Sequence, residues 1–229
     1  MAVTAVITAR GGSKRIPRKN LRPFCGVPVI VRTLETVVAS SLFDEIFVSS
    51  EDDEILAVAA ATPGVTPLPR DAALADDMTP FVDVMAAVAV QLQDRVAPEH
   101  VIFGVLPTAP FLKGSDLQAI ATEMATGQWS HVFLAARLPV PAERMLLRRP
   151  SGGCAMSDPA HFRTRSQDLP VVFRDAGTAY AATSSTWRRR EADFGVQSTF
   201  VEIPSWRTHD LDTEEDWEHA EIVYRAMSN

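Results

Sequence analysis

The sequence predicts an α/β fold whose mostly parallel sheet is covered by helices on both faces. Short runs of β-branched residues, such as Val3–Thr8, alternate with segments in which apolar residues recur at helical spacing, such as residues 29–41. Strands that alternate with helices form βαβ units, whose strands are parallel and buried on both faces. The prediction is therefore a Rossmann-like sheet, which binds ligands at the carboxyl ends of its strands.

The same alternation places the remaining elements. We expect strands at residues 46–50, 101–106, 132–136, 177–183 and 200–203, and helices at residues 81–95, from Ser115 onward and at residues 213–227. The acidic run at residues 51–54 is interpreted as the first turn of another helix, where carboxylates complement the helix dipole. Metal binding by this run is the alternative.

Length and composition indicate one domain over residues 1–229. Its 46% hydrophobic residues suffice for a substantial core. The helix and strand pattern breaks at residues 138–170, where Pro, Gly, Arg and Ser are abundant. A structureless loop of that length is unusual inside a compact domain. We therefore expect an inserted arm with short strands of its own, which contacts another subunit, or a functional lid.

Charge and cysteine content exclude several classes of function. The net charge of −7 argues against a general nucleic-acid binder, because such proteins hold the phosphate backbone with an excess of Lys and Arg. Every apolar stretch is shorter than the roughly 18 residues of a membrane span, and the N-terminal run is interpreted as a core strand rather than a signal peptide. Cys25 and Cys154 fit neither a disulfide framework nor a zinc site, which favours a reducing cytoplasm.

Positive charge is concentrated around a glycine pair near the N-terminus. Residues 1–34 contain no Asp or Glu and seven basic side chains: Arg10, Lys14, Arg15, Arg18, Lys19, Arg22 and Arg32. Gly11 and Gly12 let the backbone approach an anion, and the Arg and Lys side chains supply charge. The spacing fits neither a Walker loop nor a dinucleotide-binding fingerprint. We predict that this loop binds phosphate groups, with a solvated basic turn as the alternative.

Two carboxylates, Asp210 and Asp212, lie one residue apart near the end of a short extended stretch. Alternate residues of a strand share one face, so both side chains can reach one hard cation such as Mg²⁺. The alternative is that Asp212 begins the final helix beside Thr213. His209 precedes the pair and is interpreted as structural rather than as a base, and the sequence suggests no Ser/His/Asp triad.

Six short motifs follow one another along nearly the whole chain. They are Ala9-Arg10-Gly11-Gly12-Ser13-Lys14-x-Ile16-Pro17-x-Lys19-Asn20, Arg70-x-x-x-Leu74-Ala75-Asp76-Asp77, Thr108-Ala109-Pro110-Phe111-Leu112, Arg165-Ser166-Gln167-Asp168-Leu169, Asp175-Ala176-Gly177 and Asp210-Leu211-Asp212-Thr213-x-x-Asp216. In this order they resemble the cytidylyltransferases that activate nine-carbon, sialic-type sugar acids as CMP-sugars. The resemblance implies a fold of the nucleotide-diphospho-sugar transferase type. It also implies that residues 138–170 form a small protruding arm that serves in dimerisation and as a lid over the sugar site.

The resemblance further implies a role for each matching residue. CTP would be bound by Ala9, Arg10, Gly11, Gly12, Ser13, Lys14, Lys19, Asn20, Arg70, Asp76 and Asp77. The sugar would contact Thr108, Arg165, Gln167, Asp168 and Gly177. Asp210 and Asp212 would bind Mg²⁺, and the residues closest to the chemistry would be Arg10, Lys19 and Asp212. Arg18 and Arg22 match no motif position and are interpreted as ordinary surface charges.

The implied reaction is attack by the anomeric hydroxyl of a 2-keto sugar acid on the α-phosphorus of CTP, which releases pyrophosphate. Enzymes for N-acetylneuraminate are expected to carry a Gln-Pro-Thr-Ser-Pro-Leu-Arg-like segment. The matching residues 106–112 of this chain lack both the Gln and the Arg. This apolar stretch looks more like the pseudaminic acid enzymes of flagellin glycosylation. Residues 178–181 depart from the Gln-Phe-Tyr-Trp expected there. N-acetylneuraminic and legionaminic acids, or a non-catalytic nucleotide-binding module, are therefore kept as alternatives. A cytoplasmic homodimer is expected.

Overall fold

The computed structural model describes residues 2–76 and 78–227. The strands in these residues are β1 (Val3–Thr8), β2 (Pro23–Phe24), β3 (Val27–Pro28), β4 (Glu45–Ser50), β5 (Thr66–Pro69), β6 (Val101–Val105), β7 (His131–Arg137), β8 (Leu146–Arg148), β9 (Cys154–Met156), β10 (Phe173–Thr183) and β11 (Ser198–Glu202). The helices are α1 (Val29–Ala39), α2 (Asp53–Ala61), α3 (Phe81–Gln91), α4 (Gly114–Ala125), α5 (Ser184–Arg188) and α6 (Glu214–Met227).

Seven of the strands in the described residues form one central sheet in the order β11-β7-β10-β6-β1-β4-β5. The pairs β1/β4, β1/β6, β4/β5 and β7/β11 are parallel. Strand β10 runs antiparallel to both β6 and β7. The predicted mostly parallel sheet is therefore confirmed, with one reversed strand inside it.

Helices cover both faces of this sheet, as predicted. Side chains alternate along β1, so that Val3, Ala5 and Ile7 enter one apolar cluster and Val6 enters another. The first cluster includes residues of α1, α2 and α4. The second includes residues of α3 and Trp187 of α5. Burial on both faces explains why the central strands are continuous apolar runs rather than alternating ones.

Because β10 runs antiparallel to β6 and β7, its N-terminal end lies at the edge of the sheet where β6 and β7 have their carboxyl ends. Arg174 pairs with Ala136 and Asp175 with Ala135, and the register then shifts before Tyr180. The shift contains Gly177, whose φ of +61° lies in the left-handed region that favours glycine. This irregularity separates the start of β10, which pairs with β7 alone, from the later part, which pairs with both β6 and β7.

Residues 138–170 contain the antiparallel hairpin β8–β9 and three short 3₁₀ turns. Several of the large apolar side chains there are exposed, among them Leu146 at 66%, Leu147 at 59% and Phe162 at 68%. The dimer that the sequence predicts for this arm stays a prediction.

The elements differ from the expected ones in several places; strands β2 and β3 and helix α5, for example, were not predicted. Strand β5 was not predicted, because four residues that include Pro67 and Pro69 carry no strand signal; the prolines are accommodated because β5 is an edge strand. Helix α3 ends at Gln91, and β10 begins four residues earlier than residues 177–183 suggest. Among the described helices, none combines the length and apolarity needed to cross a bilayer.

Candidate active site

The loop after β1 is held in place by its own backbone and by the loop after β4. The Ala9 amide donates to the Ser49 carbonyl at 3.0 Å. The Asn20 Nδ2 donates to the Arg10 carbonyl at 2.8 Å, which joins the two ends of the loop. The Gly11 amide donates to Glu51 Oε1 at 2.7 Å. The loop thus folds back on itself at the carboxyl edge of the sheet.

Gly11 lies so close to Asp52 that a side chain at position 11 would overlap it. A Cβ at Gly11 would meet Asp52 Oδ2 at 2.2 Å, whereas a Cβ at Gly12 would meet nothing within 4 Å. Asp52 is also the N-cap of α2, where its Oδ1 accepts from the amides of Glu54 and Ile55 at 3.1 Å. Gly11 is therefore a close-approach position, and Gly12 is open.

Arg18 locks the loop to the start of α2. Its guanidinium pairs with both oxygens of Asp52 and with Glu54 Oε2 at 2.7 Å. The hydrogen bond from Arg18 lowers the pKa of the Asp52 carboxyl below its usual value, with help from the backbone amides that the carboxylate accepts. The acidic run at residues 51–54 thus includes a helix cap, as expected, and it also anchors the loop.

Arg70 is buried beneath the same loop. Its guanidinium donates to Glu51 Oε2 at 2.8 Å and to the Ala9 carbonyl at 3.2 Å, and its side chain is 5% exposed. Glu51 therefore connects Gly11 to Arg70. Charged groups are buried only where they are paired and hydrogen-bonded, and this pair satisfies that condition.

A cavity of about 280 Å³ opens between this loop and the turn after β6. The residues that line it come from β1 and its loop, from the chain between β5 and α3, from α3 and from the turn after β6. They are Thr8, Arg10, Ser13, Lys19, Asn20, Arg70, Leu74, Asp76, Thr79, Phe81, Val84, Leu106, Pro107 and Thr108. A second, shallower depression continues over Gly12 and Lys14. The cavity has cations on one wall and apolar side chains on another, which suits a base attached to phosphates.

Asp76 and Thr79 contribute to the wall of this cavity. Asp76 Oδ1 accepts from the amides of Met78 and Thr79 and from the Thr79 hydroxyl, and these bonds lower the pKa of the Asp76 carboxyl. The Asp76 carbonyl accepts from Arg10 Nη1 at 2.8 Å. The Asp76 side chain therefore shapes its own turn. Asp77 lies outside the described residues.

Asp212 contacts two cations of the first loop, although these residues lie near the opposite end of the sequence. Lys19 Nζ lies 3.2 Å from Asp212 Oδ1, a contact between residues 193 positions apart. Arg15 Nη1 lies 2.6 Å from Asp212 Oδ2. The carboxylate keeps a 33% exposed side chain. One side of Asp212 thus faces the loop cations and the other is open to solvent.

Asp210 contacts residues in the first half of β10. Arg174 Nη1 is 3.3 Å from Asp210 Oδ2. A Cβ at Gly177 would lie 3.2 Å from Asp210 Oδ1, so the glycine leaves room for this carboxylate against the backbone. Arg174 Nη2 also donates to the Thr208 carbonyl at 2.6 Å. The segment that carries both aspartates is thereby tied to β10.

His209 has structural contacts, in line with the sequence interpretation. Its Nε2 lies 2.7 Å from the Trp206 carbonyl, and its ring lies 4.6 Å from that of Phe111. Burial lowers the pKa of His209 below its usual value. The ring also lies 5.4 Å from that of His219.

The donor chemistry of Asp210 and Asp212 fits Mg²⁺. Both offer hard carboxylate oxygens, and Mg²⁺ is typically held by one or two carboxylates together with substrate phosphates. Over residues 2–76 and 78–227, no group of three or more His, Cys, Asp and Glu side chains is arranged to hold a metal alone. A cation here would therefore depend on the substrate for its remaining ligands.

The residues predicted to contact the sugar do not lie together in the structure. Thr108 lines the cavity beside the first loop, and Gly177 lies next to Asp210. Arg165 and Asp168 instead pair with each other on the arm, with Arg165 Nε 2.9 Å from Asp168 Oδ2. Gln167 lines a separate cavity with residues of the chain that enters the arm. None of these three arm residues lines the cavity beside the first loop.

An apolar cavity of about 280 Å³ lies on the face formed by β7, β10 and β11, and its lining includes Arg174, which contacts Asp210. Its walls are Phe133, Ala135, Phe173, Arg174, Asp175, Phe194 and Phe200. Asp175 Oδ2 accepts from the Tyr180 hydroxyl at 2.6 Å, and burial together with this carboxylate raises the pKa of Tyr180. The cavity thus combines four phenylalanine rings with one oriented carboxylate.

Comparison with known protein families agrees with this geometry. A family model described as cytidylyltransferase matches residues 4–202. The chain belongs to the cytidylyltransferase family.

Two curated relatives of this cytidylyltransferase come from Campylobacter jejuni subsp. jejuni, and both are pseudaminic acid cytidylyltransferases. The relative from serotype O:2 is 35% identical over 223 residues, which cover 96% of this chain and 95% of the relative. The relative from serotype O:23/36 is 34% identical over 222 residues, with the same two shares. The similarity therefore extends over nearly the full length of both relatives.

A solved structure of CMP:2-keto-3-deoxy-manno-octonic acid synthetase complexed with CTP superposes on this cytidylyltransferase with a TM-score of 0.74. The superposition covers 99% of this chain and 100% of that chain at 15% sequence identity. At this identity the likeness establishes the fold, and it supports the predicted nucleotide-diphospho-sugar transferase type.

Several residues of the cytidylyltransferase site were not predicted from sequence. Glu51 and Asp52 were assigned only to a helix start, and their position directly after β4 was the available signal. Arg174 and Phe194 carry no local signal; the pairing of β10 with β7 brings Arg174 to the site together with Asp175 of the Asp175-Ala176-Gly177 motif.

Arg18 and Arg22 were interpreted from the sequence as ordinary surface charges, but both make specific contacts in the structure. Arg18 anchors the loop through Asp52, as described above. Arg22 pairs with Glu214 Oε1 at 2.7 Å, and its guanidinium lies 4.7 Å from the centre of the Trp217 ring. Both partners are distant in sequence, so the charge pattern gave no indication of them.

Proposed function

We propose that this chain transfers the CMP group of CTP to a nine-carbon 2-keto sugar acid, and that the sugar is pseudaminic acid. The observation that carries the proposal is the meeting of Lys19 and Arg15 with Asp212 at the edge of a nucleotide-sized cavity. The similarity to pseudaminic acid cytidylyltransferases over 96% of the chain supports the same reaction.

In the proposed reaction, the anomeric hydroxyl oxygen of the sugar bonds to the α-phosphorus of CTP. The bond from that phosphorus to the bridging oxygen breaks, pyrophosphate leaves with the electron pair, and the hydroxyl proton passes to solvent. Arg10, Ser13 and Lys14 hold the triphosphate, together with the amides around Gly12. Fixed cations at these positions stabilise the negative charge that grows on the departing pyrophosphate.

The cytosine and ribose occupy the apolar side of the cavity, near Leu74, Asn20 and Thr108. Arg70 lines the cavity and also holds the shape of the loop, since its Nη2 donates to the Ala9 carbonyl and to Glu51. Asp76 contributes by fixing its own turn. Lys19 and Asp212 lie at the point where the triphosphate meets the sugar.

Asp210 and Asp212 would hold Mg²⁺ in this proposal. When bound, the ion neutralises phosphate charge and orients the reacting oxygen and phosphorus. In the structure Arg174 pairs with Asp210, and Lys19 and Arg15 pair with Asp212. These cations offset the repulsion between the carboxylates until the substrates arrive.

The aromatic cavity supports a sugar with fewer hydroxyl groups than neuraminic acid. Its phenylalanine rings can bury methyl and acyl carbon atoms, and a site of this kind has little use for a polar glutamine. Asp175 retains acceptor capacity for the amide N–H of an acylamino substituent. N-acetylneuraminic and legionaminic acids also carry acyl groups, so they remain the alternative sugars.

The arm is proposed to pack against a second copy of the chain. Its exposed Leu146, Leu147 and Phe162 support a subunit contact, because large apolar side chains are rarely left together at a surface. In such a dimer Arg165 and Gln167 would serve the sugar site of the partner subunit rather than their own.

The proposal is tested by measuring pyrophosphate release from CTP with Mg²⁺ and each of pseudaminic, legionaminic and N-acetylneuraminic acid. We expect the highest kcat/KM with pseudaminic acid, and little release when ATP or GTP replaces CTP. If all three sugars fail, the proposed substrate class is wrong. If ATP or GTP serves as well as CTP, the cytidine assignment is wrong.

Phe194→Ala is expected to weaken binding of the sugar but not of CTP. The Phe194 ring is 66% exposed and lies 4.8 Å from that of Phe133, so its removal shortens the aromatic cavity without opening the core. Loss of this contact should raise the KM for the sugar about tenfold, which corresponds to ~1.4 kcal/mol. Steady-state kinetics with each substrate varied in turn measure both constants.

The matched control for Phe194→Ala is Ile222→Ala, which removes a similarly exposed apolar side chain from α6. This control should leave both KM values within about twofold of the original. An equal rise in the KM for CTP and for the sugar in Phe194→Ala would contradict the assignment of the cavity to the sugar.

A further inference from the structure

A buried ion pair lies beneath the segment that carries the two aspartates. Arg207 is 6% exposed and Asp116, in the first turn of α4, is 7% exposed. Arg207 Nη1 donates to Asp116 Oδ1 at 3.1 Å, and Nη2 pairs with Oδ2. Arg and Asp are almost never this buried unless they are paired. The pair has no part in the reaction described above.

The same guanidinium also holds the turn that follows β6. Its Nε and Nη2 donate to the Phe111 carbonyl at 3.2 and 2.9 Å. Asp116 Oδ2 additionally accepts from the Lys113 amide at 2.9 Å, which caps α4. One side chain thus joins three pieces of chain: the segment of the aspartates, the turn at residues 108–112 and the start of α4.

A second contact joins the same pieces. The rings of Phe111 and His209 lie 4.6 Å apart, and His209 immediately precedes Asp210. The turn that contains Phe111 also contains Thr108, which lines the nucleotide cavity. The distance between the predicted metal ligands and the wall of the substrate cavity is therefore set through Arg207 and Phe111.

Stability alone does not require an ion pair at this position. Well-packed apolar residues of similar size often replace a buried ion pair at no cost in stability, because desolvation offsets the attraction. A bidentate guanidinium instead fixes direction, since its planar fork matches a carboxylate in one geometry. The arrangement thus specifies where the aspartate segment lies.

We infer that Arg207, held by Asp116, is a positioning residue that sets the place of Asp210 and Asp212 relative to the bound nucleotide. The inference rests on the proposed function, in which those aspartates act with Mg²⁺ and CTP. Loss of the fork leaves the site residues present but displaced. Displacements of about 1 Å at such sites lower turnover by roughly 100-fold.

The test compares Arg207→Lys, which keeps the charge but loses the fork, with the double variant Arg207→Met/Asp116→Leu, which removes both charges. In each we expect kcat to fall roughly 10- to 100-fold while the KM for CTP changes less than about twofold. Calorimetric titration of Mg²⁺, with a CTP analogue whose α–β bridging oxygen is carbon, should give a roughly tenfold weaker affinity.

The double variant separates positioning from stability. We expect its thermal unfolding to resemble that of the unmodified protein while kcat and Mg²⁺ affinity stay reduced. Normal kcat and Mg²⁺ affinity in a folded double variant would overturn the inference, and this comparison decides the question if Arg207→Lys fails to fold.

The control is Arg95→Lys, at a surface Arg–carboxylate pair with Glu45, which should leave kcat and Mg²⁺ affinity unchanged. The unmodified protein is assayed first. If it releases no pyrophosphate with any of the three sugars, the proposed function fails; if it is active and the Arg207 variants match it, only the positioning role fails.

Discussion

Asp212→Asn is expected to lower kcat for pyrophosphate release by at least about 100-fold while the fold stays intact. The amide has the same shape as the carboxylate but carries no charge. It would therefore lose both the cation ligand and the attraction to Lys19 and Arg15, which lie 3.2 and 2.6 Å from the carboxylate oxygens. Because the side chain is already 33% exposed, its packing changes little. Activity is measured across a range of Mg²⁺ concentrations, together with thermal unfolding.

The control for Asp212→Asn is Glu214→Gln, two residues further along. Glu214 pairs with Arg22 at 2.7 Å, so this variant also removes one carboxylate charge from an arginine partner. The control should retain kcat within about twofold. Near-normal turnover of Asp212→Asn at saturating Mg²⁺, or an equal loss in the control, would contradict the role of Asp212.

Gly11→Ala is expected to lower kcat/KM for CTP by roughly 100-fold, whereas Gly12→Ala should have an effect below about fivefold. The added methyl group at residue 11 would overlap Asp52, with 2.2 Å between Cβ and Oδ2. Asp52 cannot easily move, because it caps α2 and pairs with Arg18. The loop must shift instead, and the bond from the Gly11 amide to Glu51 is lost with it.

Gly12→Ala is the matched comparison, since it makes the same chemical change where a Cβ would meet nothing within 4 Å. Thermal unfolding is measured alongside the kinetics, because loss of the α2 cap would lower the free energy of unfolding by about 1 kcal/mol. Equal kinetic effects in the two variants would mean that close approach at Gly11 does not shape the loop.

Much of the fold follows from local pattern. The β-branched run at β1 and the helical spacing at α1 are each decided by neighbouring residues, and burial on both faces makes the central strands uniformly apolar. The basic loop after β1 was located for the same reason, because glycines and cations lie together in sequence. Strand β5 and the true start of β10 escaped prediction, since pairing with a neighbour rather than residue preference defines them.

The sequence by itself determined the order of most helices and strands, the concentration of positive charge at the loop of Gly11 and Gly12, and the family resemblance. Tertiary structure alone decided which side chains meet. The contact of Lys19 with Asp212 spans 193 positions, and the reversal of β10 delivers Arg174 and Asp175 to the same edge. Local preferences act over a few residues, whereas these contacts arise from burying two faces of one sheet, which brings distant strand ends together.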